Sequence, residues 1–307
     1  MDALVISGGG SKGAFAGGVA EYLMQHSGKD YDLYVGTSTG SLLIPFLALG
    51  DIERIKKIYT TIRQSDIFTV CPFIIKKKNG VVTTRMNHLG IIKQFIKRQK
   101  TLGDSTNLRK LIGESFTAED FAMLQSRGKE IVVTVANLTT QTIEHKSSKD
   151  YGYEDYCDWI WASANLIPLM SLVCKNGQEY GDGGFGNLIP VQEAIIRGAS
   201  AIDVIVLRLE KGVYNNPPLR NALEVFSRTY DFMLNQIGID DLLIANLQAA
   251  GNNVAVHFYY INRLLTTRSY IFDADEMKTW WQEGYEMFQK EACKSHYIES
   301  RDTESMD

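Results

Sequence analysis

Tyr31-Asp32-Leu33-Tyr34-Val35-Gly36-Thr37-Ser38-Thr39-Gly40-Ser41-Leu42-Leu43-Ile44-Pro45-Phe46-Leu47-Ala48-Leu49 is the stretch on which the fold turns. Tyr31–Val35 is a short apolar run that fits a buried strand, and Ser41–Leu49 fits a buried helix. Between them, Gly36 and Gly40 bracket three hydroxyl residues, so the chain turns sharply from one element into the next. The charge-free run from Leu33 to Gly50 approaches a membrane span in length, but Gly36 to Ser41 and Pro45 break it up. The same alternation recurs on both sides. Ala3–Ser7 reads as a strand and Ala14–Gln25 as a helix. Asp51 to Arg63 puts Ile52, Ile55, Ile58, Tyr59 and Ile62 on one helical face. Ile131–Ala136 and Ile202–Leu209 are further strands, and strands separated by helices imply a largely parallel, buried sheet.

Composition narrows the function classes. Of 307 residues, 45% are hydrophobic and 22% charged, the mix of a chain with a sizeable core. A net charge of -4 gives no global reason to expect a nucleic-acid partner. The four cysteines, Cys71, Cys157, Cys174 and Cys293, form neither a CxxC pair nor a metal-ligand rhythm, so the expectation is reduced thiols and no metal. The opening residues show no basic n-region or cleavage site, which predicts a cytoplasmic protein. One core over residues 1–210 is expected, with a basic and apolar insertion near 67–103. Residues 211–307 should form a helical extension on the same domain, with helices near Leu219–Gln236, Asp240–Ala250 and Ala274–Lys290 and a β-prone run at Val254–Ile261.

Three glycine-bearing motifs carry the chemistry. Gly8-Gly9-Gly10-Ser11-Lys12-Gly13 follows a strand and opens a helix, a setting that presents bare N–H groups to negative charge. It satisfies G-x-G-x-x-G, but the acidic ribose ligand of a dinucleotide site is missing from the end of the second strand, because Asp32 lies at its start. It fails as a P-loop, since Ala14 stands where the lysine is needed. It also fits an oxyanion hole, or a tight turn with no ligand. Gly36-Thr37-Ser38-Thr39-Gly40 fits G-x-S-x-G in the strand–turn–helix setting of a nucleophile elbow; the plainer alternative is a helix-capping serine.

A serine nucleophile needs a base. None of the five histidines (His26, His88, His145, His257, His296) sits in a glycine-bracketed turn after a strand, though His88 and His145 stay open. Asp182-Gly183-Gly184 offers a carboxylate instead, flanked also by Gly181 and Gly186 and preceded by an Asn176-Gly177 hairpin signal. An aspartate at its ordinary pKa of about 4 is a weak base, and partial desolvation strengthens it. A turn aspartate is the plainer alternative.

Together these motifs resemble the patatin-like phospholipases. The resemblance covers much of the first 210 residues, including Lys12 at the basic position of the glycine loop and Gly186-Asn187-Leu188-Ile189-Pro190-Val191 after the aspartate. Trp161-Ala162-Ser163-Ala164-Asn165-Leu166-Ile167-Pro168 is similar to the family's small-residue segment, with Asn165 in place of the usual proline. The resemblance implies a three-layer α/β/α fold with a mostly parallel central sheet and C-terminal helical embellishment. It implies Ser38 as nucleophile, Asp182 as base, an oxyanion hole at Gly9 and Gly10 with Gly8 and Ser11 nearby, and supporting motif positions Lys12, Gly13, Gly36, Gly40, Gly183 and Gly184. It implies a lipid ester substrate and no metal or organic cofactor.

Other readings fit parts of the sequence. The same dyad suits a neutral lipase, a lysophospholipase or a thioesterase. A dinucleotide-binding oxidoreductase rests on Gly8, Gly10 and Gly13 alone, and a binding module without catalysis fits least because the catalytic positions are filled. Ile67–Gly103 holds eight Lys or Arg and no Asp or Glu. Within it, residues 67–100 read as a membrane-surface contact, or as a strand, a loop and a helix whose Ile91, Ile92, Phe95 and Ile96 pack on the core; the second reading is preferred.

Overall fold

Strand and helix alternate as the sequence pattern requires. The computed structural model describes residues 1–78, 81–210, 218–219 and 221–302. In chain order its elements are β1 (Asp2–Ile6), α1 (Gly13–Glu21), β2 (Leu33–Thr37), α2 (Thr39–Leu49), α3 (Ile52–Thr61), α4 (Gln64–Ile67), β3 (Phe73–Lys78), β4 (Val81–Met86), α5 (His88–Ile96), α6 (Thr106–Ser115), α7 (Ala118–Ser126), β5 (Glu130–Asn137), β6 (Thr142–Ser147), α8 (Tyr153–Ser163), β7 (Val173–Lys175), β8 (Gln178–Asp182), α9 (Val191–Ile196), β9 (Ala201–Leu209), α10 (Ala222–Asn252), β10 (Ala255–Ile261) and α11 (Ala274–Asp302).

The main sheet runs β10-β9-β1-β2-β5-β8-β7, with β6 also on β5. Its first five strands are parallel; β6, β8 and β7 run antiparallel to their neighbours. The period of two along each strand sorts side chains to two faces. Leu4, Ile6, Tyr34, Ile131 and Val133 join one apolar core, shared with α1, α2, α3 and α8. Ala3, Val5, Leu33, Val35, Val132 and Val204 join a second, with Val191 and Ala194 of α9 and Ala245 of α10. Both faces are covered, which explains why these strands read as continuous apolar runs rather than as alternating ones. The result is the three-layer α/β/α architecture.

One edge of β5 positions the site. β2 pairs with β5 from Glu130 to Thr134, and β8 pairs with it from Val135 to Asn137. β6 occupies Val132 to Asn137, so it takes the opposite edge. β2 and β8 therefore meet end to end along one strand edge. The last pair of β2 is Thr37 with Thr134, and the neighbouring pair is Asp182 with Val135.

Three expectations are revised. The two helices expected over Leu219–Gln236 and Asp240–Ala250 are one helix, α10, because Gly238 continues it where the chain passes close to Leu188 and Ile189. The β-prone run near Val254–Ile261 is not an embellishment: as β10 it extends the parallel sheet beside β9. In the 67–103 segment the strand and loop are a two-stranded antiparallel hairpin, β3–β4. The α5 helix that follows buries Ile91 but leaves Ile92, Phe95 and Ile96 exposed, so it does not pack the expected four side chains on the core. No helix among the described residues is long and apolar enough to cross a membrane.

Candidate active site

The site grows from the turn between β2 and α2. Ser38 holds φ 55° and ψ -119°, a backbone geometry that non-glycine residues adopt at a cost of about 1–3 kcal/mol. Its surroundings hold it there. Its N–H donates to Ser163 Oγ at 3.1 Å, and its carbonyl accepts from Ser41 Oγ at 2.6 Å. Gly40 is forced by contact: a Cβ there would lie 2.3 Å from the Ile6 carbonyl oxygen. The Ser38 side chain does not cap α2, which removes the plainer reading of this serine.

The glycine loop after β1 closes against two other segments. The Gly8 N–H donates to Leu188 O at 3.0 Å, and the Ser11 N–H to Ser269 O at 2.8 Å. Those two amides are occupied, whereas the Gly9 and Gly10 amides have no protein acceptor among the described residues. Gly10 sits at φ +59°, and a Cβ on it would lie 2.2 Å from Ser269 O. Lys12 lines the same opening and reaches across to β9. Its Nζ donates to Leu207 O at 2.7 Å, and burial lowers its pKa to about 8 against the attraction of Asp231.

Asp182 ends β8 and is 4% exposed. Its N–H donates to Asn165 O at 2.9 Å, and its Oδ1 accepts from the Gly184 N–H at 2.8 Å. Burial raises its pKa to about 6, while hydrogen bonds from the Ser38 side chain and the Gly184 amide pull the other way. The carboxylate is thus both the expected turn aspartate and a neighbour of the Ser38 hydroxyl. Ser38, Asp182 and Gly8 to Gly10 line one cavity of about 850 Å³, whose other wall comes from α10 and the 266–272 loop. Tyr230 of α10 donates its hydroxyl to Ile167 O at 2.7 Å; burial and the Asp182 charge push that hydroxyl well above its ordinary pKa.

Neither open histidine joins them. His88 is exposed at the start of α5. His145 pairs with Thr134 across β5, with Nδ1 3.3 Å from Thr134 Oγ1 and Nε2 3.9 Å from Glu193. Thr134 and Val135 point to opposite faces, and Asp182 registers on Val135, so His145 lies on the other side of the sheet. Asp32 lies outside the N-terminal end of β2, bonded to the Asp2 N–H at 3.2 Å, far from where a ribose would sit. Sequence reading missed Tyr230 and Ser269, which come from the C-terminal third with no motif of their own. Ser163 lay inside the small-residue segment, and a serine in that tight run was the one available signal.

Residues 4–195 match the family model described as Patatin-like phospholipase. A relative, "Uncharacterized protein YjjU" of Escherichia coli (strain K12), is 27% identical over 227 residues, which is 72% of this chain and 56% of that protein. The chain thus spans about half the length of the curated relative it matches. VipD from Legionella pneumophila is a structural neighbour at a TM-score of 0.49 and 16% identity, covering 94% of this chain and 66% of that one. With the family model matched over more than half of its residues, the chain belongs to the patatin-like phospholipase family.

Proposed function

We propose that the protein is a serine acyl hydrolase that cleaves fatty-acyl esters of phospholipids or related lipids. The observation that carries the reading is the end-to-end meeting of β2 and β8 on β5, which sets a strained, uncapped Ser38 beside a buried carboxylate. In the first half-reaction Ser38 Oγ attacks the ester carbonyl carbon and its proton passes to Asp182. The carbonyl oxygen takes the negative charge against the Gly9 and Gly10 amides; losing one such donor typically costs about 100-fold or more in turnover. The tetrahedral intermediate collapses, the ester C–O bond breaks, and the leaving alkoxide takes the proton from Asp182. Water then attacks the acyl-enzyme, again giving its proton to Asp182, and Ser38 leaves with a proton regained. Burial favours this role, because a carboxylate with a raised pKa is a stronger base.

The reading also includes a lipid surface as partner. Leu89, Ile92, Phe95 and Ile96 of α5 are 52–82% exposed beside Lys93, Lys97 and Arg98, a pairing of apolar and cationic side chains that suits an anionic interface. A fluorophosphonate probe tests the chemistry. It should label the wild-type protein covalently and leave Ser38→Ala unlabelled. Equal labelling of the folded Ser38→Ala variant would sink the nucleophile assignment, and a panel of phospholipids, lysophospholipids, triacylglycerols and thioesters would then rank the substrates.

A further inference from the structure

A second cavity opens from the same point. It begins at Gly10, Ser38 and Thr39 and continues between α2, α3 and α6. Leu42 lines it one turn along α2 and Phe46 a turn further, with Leu111 facing them from α6. The rings of Phe46 and Phe116, 6.1 Å apart, form its floor. No charged side chain lines it among the described residues. The larger cavity differs: Arg208, Arg228, Asp231 and Arg268 contribute to its wall. An ester bound at Ser38 has two arms, and the two cavities differ in polarity as those arms do.

We infer that the apolar cleft holds the acyl chain, with the carbonyl end at Ser38, while the alcohol arm lies in the larger cavity; this rests on the acyl-hydrolase reading. The dimensions set a chain length. Thr39 to Phe46 is seven residues of helix, a depth of about 10 Å. One bilayer leaflet holds a full-length acyl chain in about 15 Å, so this depth admits roughly ten carbons. The cleft volume is about 80 Å³. At the ~30 Å³ that a water-sized group occupies, roughly three methylenes enter without rearrangement. The half-buried outer wall, which includes Ile58 and Leu111, is the part that yields to the remainder. Counting the carbonyl carbon, the cleft therefore selects chains of roughly four to ten carbons.

The test is a chain-length series of p-nitrophenyl esters from acetyl to hexadecanoyl, run on wild type, Leu42→Trp and Leu111→Trp. Both positions are half-buried on the cleft wall, so the larger ring fits by filling the cleft rather than by displacing the packed core. In wild type, kcat/KM should climb by about fourfold per methylene to a maximum between roughly four and ten carbons. In Leu42→Trp the decanoyl-to-butyryl ratio should fall by roughly 10-fold or more, as about two buried methylenes are excluded. A ratio unchanged in both tryptophan variants, or a wild-type preference still rising at hexadecanoyl, would overturn the acyl-chain assignment and leave the hydrolase reading standing. Calorimetric binding of decanoic acid to Ser38→Ala reads the cleft without turnover. Binding that Leu42→Trp weakens supports the cleft even if no ester is cleaved, an outcome that would remove the hydrolase reading alone; absence of binding together with absence of turnover would remove both.

Discussion

At the residue scale the proposed chemistry depends on one buried carboxylate. Asp182 is raised to about 6 by burial, so it carries the negative charge a base needs only above that pH. The pH profile of kcat/KM should therefore fall with unit slope below about pH 6; a plateau reaching down to pH 4 would exclude Asp182 as the base. The same shift bears on stability, with a sign opposite to that of a salt-bridged aspartate. Because the folded-state pKa lies above the ordinary value of 3.8, the native state prefers the protonated form. Ionised Asp182 therefore destabilises the fold above about pH 6, by on the order of 3 kcal/mol, and the cost disappears below about pH 4. Asp182→Asn should lose at least 100-fold in turnover yet melt higher than wild type at pH 8, with the gap closing toward pH 4. Near-normal turnover, or a lower melting temperature at pH 8, would contradict this account. Ser38 was legible because glycines, a strand and a helix surround it in the sequence. Ser269 and Tyr230 were not, because a serine whose carbonyl accepts the Ser11 N–H and a tyrosine that bonds Ile167 O look like any other until the chain brings them together.

At the element scale the sequence showed which segments are strands but not which edges they share. The Asn176-Gly177 turn announced the β7–β8 hairpin, and φ values of 52° and 75° at its two residues show why that pair is there. Nothing local said that β8 would continue the edge where β2 stops, since strand register across more than a hundred residues is a tertiary outcome. Helix α5 misled in a different way. Its 3.6-residue periodicity was real, but periodicity reports an apolar face, not what covers it. Here the face carrying Leu89, Ile92, Phe95 and Ile96 is exposed. If it meets lipid, Phe95→Asp with Ile96→Asp should cut sedimentation with anionic vesicles by more than 10-fold while leaving hydrolysis of a soluble short-chain ester intact. Equal vesicle binding would show that α5 is not the contact.

For the whole molecule, the C-terminal third completes what the first two thirds begin. β10 pairs along β9, and Trp281 of α11, 1% exposed, donates to Glu21 of α1 at 2.5 Å. Truncation after Leu209 should therefore give aggregated protein without a cooperative melt, judged by gel filtration and circular dichroism. A monodisperse, cooperatively melting fragment would instead establish residues 1–210 as a self-sufficient domain. A family resemblance concentrated in the N-terminal motifs gave no hint of this dependence, because β10 and α11 act through packing rather than through recognisable residues. The position of β1 also has a kinetic cost. It lies between β2 and β9, and Asp2 pairs with Ala201. At synthesis rates of ~5–20 residues per second, β1 leaves the ribosome roughly 10–40 seconds before the strand that will cover its second edge. For that interval one of the most apolar strands of the protein presents an open row of backbone groups, so demand for chaperones should be greatest while the middle of the chain is still being made.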